Sequence, residues 1–352
     1  MTVVSPIGTP AIGLPGSAPN PVLAEIWRGP VLECVHRGAV AIAGPDGVLI
    51  EAIGDVERIM LPRSACKMVQ ALPLVESGAA DAARLSDERL ALSCASHSGA
   101  HAHVSRVDRW LADLGFGDDD LRCGAHSPLD PAARRALREG GQANRQAHNN
   151  CSGKHTGFLT LTKHLRAGPD YVETDHPVQR AVRAAVAETC GEEPKAHAID
   201  GCSAPNFAVS LAGLARAMAG FARPQTAFSG ARAVAATRLR DAMMAHPVLV
   251  AGEERENTKF MVAAEGRAAV KSGAEGVYCA ILPERGLGIA LKVDDGASRG
   301  AQAAIAALLV RHGAIAANHP AALAAMDAPI LNARGREHGR MRASDILIAT
   351  PG

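Results

Sequence analysis

Ser64 and Lys67 stand three residues apart in Arg63-Ser64-Ala65-Cys66-Lys67, where strand-like sequence gives way to a helical pattern. On a helix this spacing puts both side chains on one face, so an amine with a lowered pKa can take the serine proton and create a nucleophile. Ser-x-x-Lys also arises by chance, and a solvated pair on a helix surface is the plain alternative. A second lysine lies in Lys271-Ser272-Gly273, on a late strand. Its charge would depress a neighbouring amine's pKa, it could itself act as a base, and Gly273 would let a substrate approach the backbone. The alternative is an edge-strand lysine kept for solubility. Ser93-Cys94-Ala95-Ser96-His97-Ser98-Gly99 packs small polar side chains into apolar surroundings, which is costly in a core unless they line a site or satisfy local backbone groups. A reactive serine there would pair naturally with the second lysine; a capped helix end stopped by Gly99 fits the same residues.

Cys151 and Cys202 lie in two polar, glycine-containing segments, His148-Asn149-Asn150-Cys151-Ser152-Gly153-Lys154-His155 and Ile199-Asp200-Gly201-Cys202-Ser203. Two thiolates could serve a zinc ion, but neither segment has a second Cys or a His at usual zinc spacing, and lysine must be neutral to donate a lone pair. Two reduced, partly buried cysteines explain the residues equally well. Gly153-Lys154-His155-Thr156 resembles the end of a phosphate loop but lacks its first glycine and the preceding strand, which excludes that reading.

These residues need elements to bring them together. Residues 1–20 are rich in Pro, Gly and Ser and uncharged, and predict a flexible tail. Short apolar runs over 22–27, 31–35, 39–43 and 48–53, with Pro45-Asp46-Gly47 as a turn, predict strands. Residues 66–80 have a helical pattern with a kink at Pro73 and a stop at Gly78. The region 86–252 is mainly helical: Ser86 can cap one helix, and others are expected over 102–114, 131–140, 157–165, 177–190, 205–219 and 232–244. Strands return over 268–272, 276–282 and 288–293, before an amphipathic helix over 299–311. The expected architecture is α/β (α+β), a single domain over 21–350. Its one sheet is built from about 21–62 and 266–350, packed by helices, with the helical region inserted between. A split into two domains near residue 150 would leave each half with an incomplete sheet.

Composition narrows the partners. With 352 residues, a formal net charge of +1, 21% charged residues and ten aromatics (six Phe, two Tyr, two Trp), the chain lacks the clustered basic and stacking residues of a nucleic-acid binder. No apolar run approaches the roughly 20 residues that span a bilayer. Eight cysteines are too sparse for a disulfide scaffold, and no export signal opens the sequence. A reducing cytoplasm is the expectation.

Taken together, Pro62-Arg63-Ser64-x-x-Lys67, Ser93 to Gly99, His148 to His155, Asp200-Gly201-Cys202 and Lys271-Ser272-Gly273 resemble the asparaginase II family, the rhizobial-type (class 3) L-asparaginases, from about residue 22 to 300. The resemblance implies a β-lactamase/glutaminase-like fold with an antiparallel sheet, a homodimer, and hydrolysis of L-asparagine to L-aspartate and ammonia. It implies two Ser-Lys tandems, Ser64 with Lys67 and Ser96 with Lys271, and a zinc site formed by Cys151, Lys154 and Cys202. Zinc would organise the site and position substrate, since a serine nucleophile makes a metal hydroxide unnecessary. Arg63 and Asp200, by charge complementarity, and His97, Ser272 and Gly273 are the expected substrate-binding residues. Two other readings compete. One is a glutaminase, β-lactamase or peptidase on the same scaffold, since a pocket discriminates one methylene by only about 1–3 kcal/mol. The other is a non-catalytic protein in which zinc fastens the helical region to the sheet.

Overall fold

The computed structural model of the chain describes residues 11–16 and 18–349. Eleven strands run in chain order: β1 (Val22–Arg28), β2 (Val31–Ala43), β3 (Leu49–Ile53), β4 (Ile59–Met60), β5 (Ala196–Ile199), β6 (Pro205–Ser210), β7 (Ala269–Ser272), β8 (Val277–Leu282), β9 (Leu287–Val293), β10 (Asp327–Leu331) and β11 (Glu337–Ala343). Eight form one sheet in the order β10-β11-β1-β2-β9-β8-β7, with β3 also on β2, and every pairing in it is antiparallel. Residues 22–53 and 269–343 supply this sheet, as the short apolar runs predict.

The runs at 31–35 and 39–43 are one 13-residue strand. Its first half pairs with β1 and its second half, from Gly38, with β9. A side chain at Gly38 would come within 2.2 Å of the Lys292 carbonyl oxygen, so the close approach of the two backbones requires glycine. Strand β8 is buried at every position, which its unbroken Val-Tyr-Cys-Ala-Ile-Leu sequence anticipates for a strand covered on both faces. The helix Leu211–Ala222 covers one side, so close that a Cβ at Gly288 would overlap the backbone of Ala215 and Ala219. The helix Ser298–Arg311 covers the other, presenting Ile305, Leu308 and Leu309 to the core.

Between the sheet's two halves lies the helical region, with two departures. Residues 205–219, expected as a single helix, divide into β6 and the start of the helix Leu211–Ala222. Ser210 is the boundary because its Oγ accepts from the Gly213 N–H at 2.9 Å and caps the helix. Upstream, β6 sits between β4 and β5 in a second, three-stranded sheet. The helix expected over 157–165 begins earlier and spans Ser152–His164, which brings Lys154 into its first turn.

At the N-terminal end, Asn20 is buried: its amide donates to both Asp294 carboxylate oxygens and its Oδ1 accepts from the Asp55 N–H. Arg58 Nε donates to the Gly13 carbonyl at 2.9 Å. The remainder of the stretch expected to be a tail, residues 1–10 and Ser17, lies outside the described residues.

Candidate active site

The chain leaves β4 through Pro62 into a 3-10 turn, Arg63–Cys66, that opens onto the helix Lys67–Gln70. Arg63 has φ 51°, a left-handed conformation disfavoured for a residue with a Cβ. Asn206 on β6 holds it there from both sides, accepting from the Arg63 N–H at 3.1 Å and donating to its carbonyl at 3.4 Å. The Arg63 guanidinium is anchored on Asp200 Oδ1 at 2.8 and 3.0 Å. This reversal sets Ser64 on the wall of a cavity of about 220 Å³, which Ser96 also lines. Among the described residues no hydrogen bond engages Ser64 Oγ.

Strand β7 closes against the same turn. A Cβ on Gly273 would lie 2.7 Å from the Pro62 carbonyl oxygen and 3.2 Å from the Ala65 nitrogen. Glycine at the end of the Lys-Ser-Gly segment therefore serves contact between strand and turn, and lets Ser272 and Gly273 face the cavity with Ser64.

Lys67 and Lys271 are both almost fully buried. Lys67 Nζ donates to the Ala95 carbonyl, to Ser96 Oγ at 3.0 Å and to Cys151 Sγ at 3.1 Å. Three acceptors match the three N–H groups of an ammonium. The serine within its reach is thus Ser96, brought from the end of the helix Asp87–Ser93, and not Ser64 in the same turn. Lys271 Nζ has one acceptor, the Ser272 carbonyl at 2.8 Å. Burial, followed by the neighbouring Lys67 charge, pushes the Lys271 amine down to about 7. The Lys271 amine can therefore be neutral near neutral pH.

Opposite the serines, the cavity is walled by residues that the sequence patterns did not single out. Tyr278 donates its hydroxyl proton to Asn257 Oδ1, and Asn257 Nδ2 donates to Ser272 Oγ at 3.1 Å. Ser272 therefore accepts from protein and keeps its own proton for the cavity. Burial raises the Tyr278 phenol well above its usual value, so it remains a donor. Arg255 and Glu256, preceding Asn257, also line the cavity. Gly252 allows this segment to pass over the Ser96-containing loop: it has φ 129°, and a Cβ there would lie 2.6 Å from Ser98 Oγ. Thr258 Oγ1 ties the segment down by donating to the Gly252 carbonyl at 2.6 Å.

Other expected site residues lie away from this lining. His97 is fully buried; its Nδ1 accepts from the Gly99 N–H at 3.2 Å, and its Nε2–H donates to Ser152 Oγ at 2.9 Å, because the Ser152 proton goes to the Ala147 carbonyl. Burial lowers its pKa well below the usual value. Neutral and spent on both nitrogens, His97 splices the Ser96 loop to the helix Ser152–His164 and does not face the cavity. Arg63 and Asp200, expected to meet the two charges of a zwitterion, are paired with each other and are not among the residues lining the cavity.

Cys151, Lys154 and Cys202 do meet. Cys151 precedes the helix carrying Lys154, and Lys154 Nζ donates to Cys202 Sγ at 3.2 Å from the turn after β5. Gly153 permits this packing, since a Cβ there would lie 2.4 Å from the Leu92 carbonyl oxygen. Cys202 is held far below an ordinary thiol by a hydrogen bond from Cys151, and secondarily by the Lys154 charge against the penalty of burial. Cys151 is correspondingly raised. Among the described residues no group of three His, Cys, Asp or Glu side chains could hold a metal, the third polar donor here being a lysine. The donor set nevertheless suits a dication. One proton shared by two thiols beside an ammonium leaves the trio neutral, and replacing that proton and one ammonium proton by a divalent ion leaves it neutral again. Next to Lys154, His155 Nε2 is buried without a hydrogen-bond partner.

A family model described as L-asparaginase II matches residues 24–343. No curated protein matches the chain in sequence. Among solved structures the chain is similar to Mglu in its native form, with 16% identity and a TM-score of 0.43 over 75% of this chain and 61% of that one. It is also similar to a β-lactamase from Mycobacterium bovis, with 14% identity and a TM-score of 0.38 over 75% of this chain and 89% of that one. The chain spans about three fifths of the length of the Mglu chain.

Proposed function

This chain belongs to the L-asparaginase II family, and we propose that its reaction is hydrolysis of the side-chain amide of L-asparagine to L-aspartate and ammonia. The observation that carries this reading is the buried Lys67 ammonium 3.0 Å from Ser96 Oγ, in a cavity shared with Ser64 and beside a second lysine lowered to about 7. Neutral Lys271 receives the proton of the attacking serine, whose oxygen forms a bond to the amide carbon. The proton passes to the amide nitrogen as the C–N bond breaks, ammonia leaves, and water hydrolyses the resulting ester. Lys67, which donates to Ser96 Oγ, supports negative charge there, and the free Ser272 proton is available to the amide oxygen. The two tandems of this reading pair Ser64 with Lys67 and Ser96 with Lys271, whereas the hydrogen bond present in the structure joins Lys67 to Ser96.

Cys151, Lys154 and Cys202 are the proposed zinc ligands, and zinc bound there would supply a fixed positive centre behind the Lys67 side of the site. A homodimer working in the cytoplasm completes the proposal. The eight cysteines, all free thiols, suit a reducing compartment, and among the described residues no helix is long and apolar enough to cross a membrane.

Ammonia release from L-asparagine and L-glutamine by the wild type, Ser64→Ala and Ser96→Ala tests the reaction. The expected result is asparagine turnover that falls about 10²–10⁴-fold in the variant lacking the nucleophile. Near wild-type turnover in both serine variants would overturn the mechanism, and glutamine as the better substrate would replace the assigned activity.

A further inference from the structure

Two charged side chains, Arg255 and Glu256, line the cavity that holds Ser64 and Ser96, and every other residue on that lining is uncharged. They bear opposite signs, and neither has an ion-pair or hydrogen-bond partner for its charged group among the described residues. Elsewhere in the molecule arginines and carboxylates are commonly matched, as in Arg63 with Asp200, Arg232 with Glu76 and Arg311 with Glu51. Lys67 and Lys271 are buried and are not part of the lining. The segment bearing the charges is fixed in place: Gly252 is wedged against Ser98, Thr258 is bonded back to Gly252, and Asn257 is tied to Ser272 and Tyr278. Both charges act on the interior of this wall, Arg255 on Lys271 and Tyr278, and Glu256 on Tyr278.

We propose that Arg255 and Glu256 form a clamp for the α-carboxylate and α-ammonium groups of a free amino acid, Arg255 taking the carboxylate and Glu256 the ammonium. One cation and one anion on an otherwise neutral wall match a zwitterion of zero net charge. A substrate lacking either group, or one whose α-groups are locked in peptide bonds, leaves one member of the clamp unmatched. The inference rests on the amidohydrolase reading above and adds to it the source of selectivity for a free amino acid.

Steady-state hydrolysis of three amides separates the two contacts: L-asparagine, succinamate, which lacks the ammonium, and β-alaninamide, which lacks the carboxylate. Arg255→Met is expected to raise KM about tenfold or more for asparagine and succinamate and to leave β-alaninamide unchanged. Glu256→Gln is expected to do the same for asparagine and β-alaninamide and to spare succinamate. Arg255→Lys should recover part of the loss, and kcat for asparagine should change little in all three variants. Unchanged KM in both neutral variants, or equal losses on all three amides in a variant that melts like the wild type, overturns the clamp alone. Should the wild type itself release no ammonia from asparagine, the hydrolase reading fails and the clamp falls with it.

Discussion

At Lys271 a single side chain links activity to stability in opposite directions. Its folded amine sits at about 7, against 10.5 for an ordinary lysine. Below about pH 7 the folded protein carries a buried charge at full cost. Between about 7 and 10.5 the unfolded chain binds a proton that the folded one does not, so this penalty shrinks as pH rises. The same deprotonation creates the base, so kcat/KM for asparagine should climb with pH through an apparent value near 7. Lys271→Met should abolish turnover, remove the pH dependence of the residual stability change in this range, and raise Tm at pH 6 by about 2–4 °C or more. A melt at pH 6 and pH 9 beside the ammonia assay checks all three; a lower Tm at pH 6 would refute the account. The thiol cluster gives a second residue-level outcome. The purified protein should carry about one zinc per chain by elemental analysis, Cys202→Ser should lose it, and a metal-free wild type with unaltered activity and KM would dismiss the site. Ser64, Lys67, Ser96 and Lys271 stand in short polar motifs that single them out in the sequence, whereas Cys151 and Cys202 lack the usual zinc spacing and enter only through the family resemblance. Arg255 and Glu256 are different: in Gly252-Glu253-Glu254-Arg255-Glu256-Asn257 they look like any solvated loop, and only folding shows which two of the four charged residues border the cavity.

The elements explain why the serines are placed as they are. The left-handed Arg63 turn is held by one side chain on β6, so Asn206→Ala should destabilise the protein by about 1–3 kcal/mol and lower kcat with little effect on KM. Denaturant melts and steady-state kinetics would show this, and an Asn206→Ala protein with native stability would contradict the clasp. Gly273→Ala should push β7 off the Ser64 turn, costing roughly tenfold or more in kcat/KM, because a misplacement of about 1 Å at a reacting centre is enough to do so. Most helix and strand positions followed from periodicity and from Gly and Pro punctuation. The segment 205–219 did not, since Pro-Asn-Phe-Ala-Val-Ser carries no alternation: β6 is buried at every position and takes its identity from β5, a four-residue strand just before it, and from β4, which is distant in sequence and only two residues long. Tertiary pairing decided that element. It is also the one bearing Asn206, so the misread segment and the unforeseen positioning residue have the same origin.

At the scale of the molecule, the sheet joins the two ends of the chain around everything that does the chemistry. Sedimentation of the purified protein is expected to give twice the chain mass; a monomer at full activity would remove the dimer from the proposal. The sheet's pairing pattern also sets a schedule for biosynthesis. β1 is flanked by β2, made almost at once, and by β11, made about 300 residues later. At the roughly 5–20 residues per second of synthesis, β1 keeps an unpaired edge for about 15–60 s. Strand β9, against which the second half of β2 must close, arrives only shortly before. The nascent chain therefore carries an incomplete sheet with an open hydrogen-bonding edge until β11 is made, a template for wrong partners. Ser64 and Ser96 are synthesised well before the Lys271 strand, so turnover should appear only after β7 has been made, and yield should depend on what shields that edge until β11 emerges.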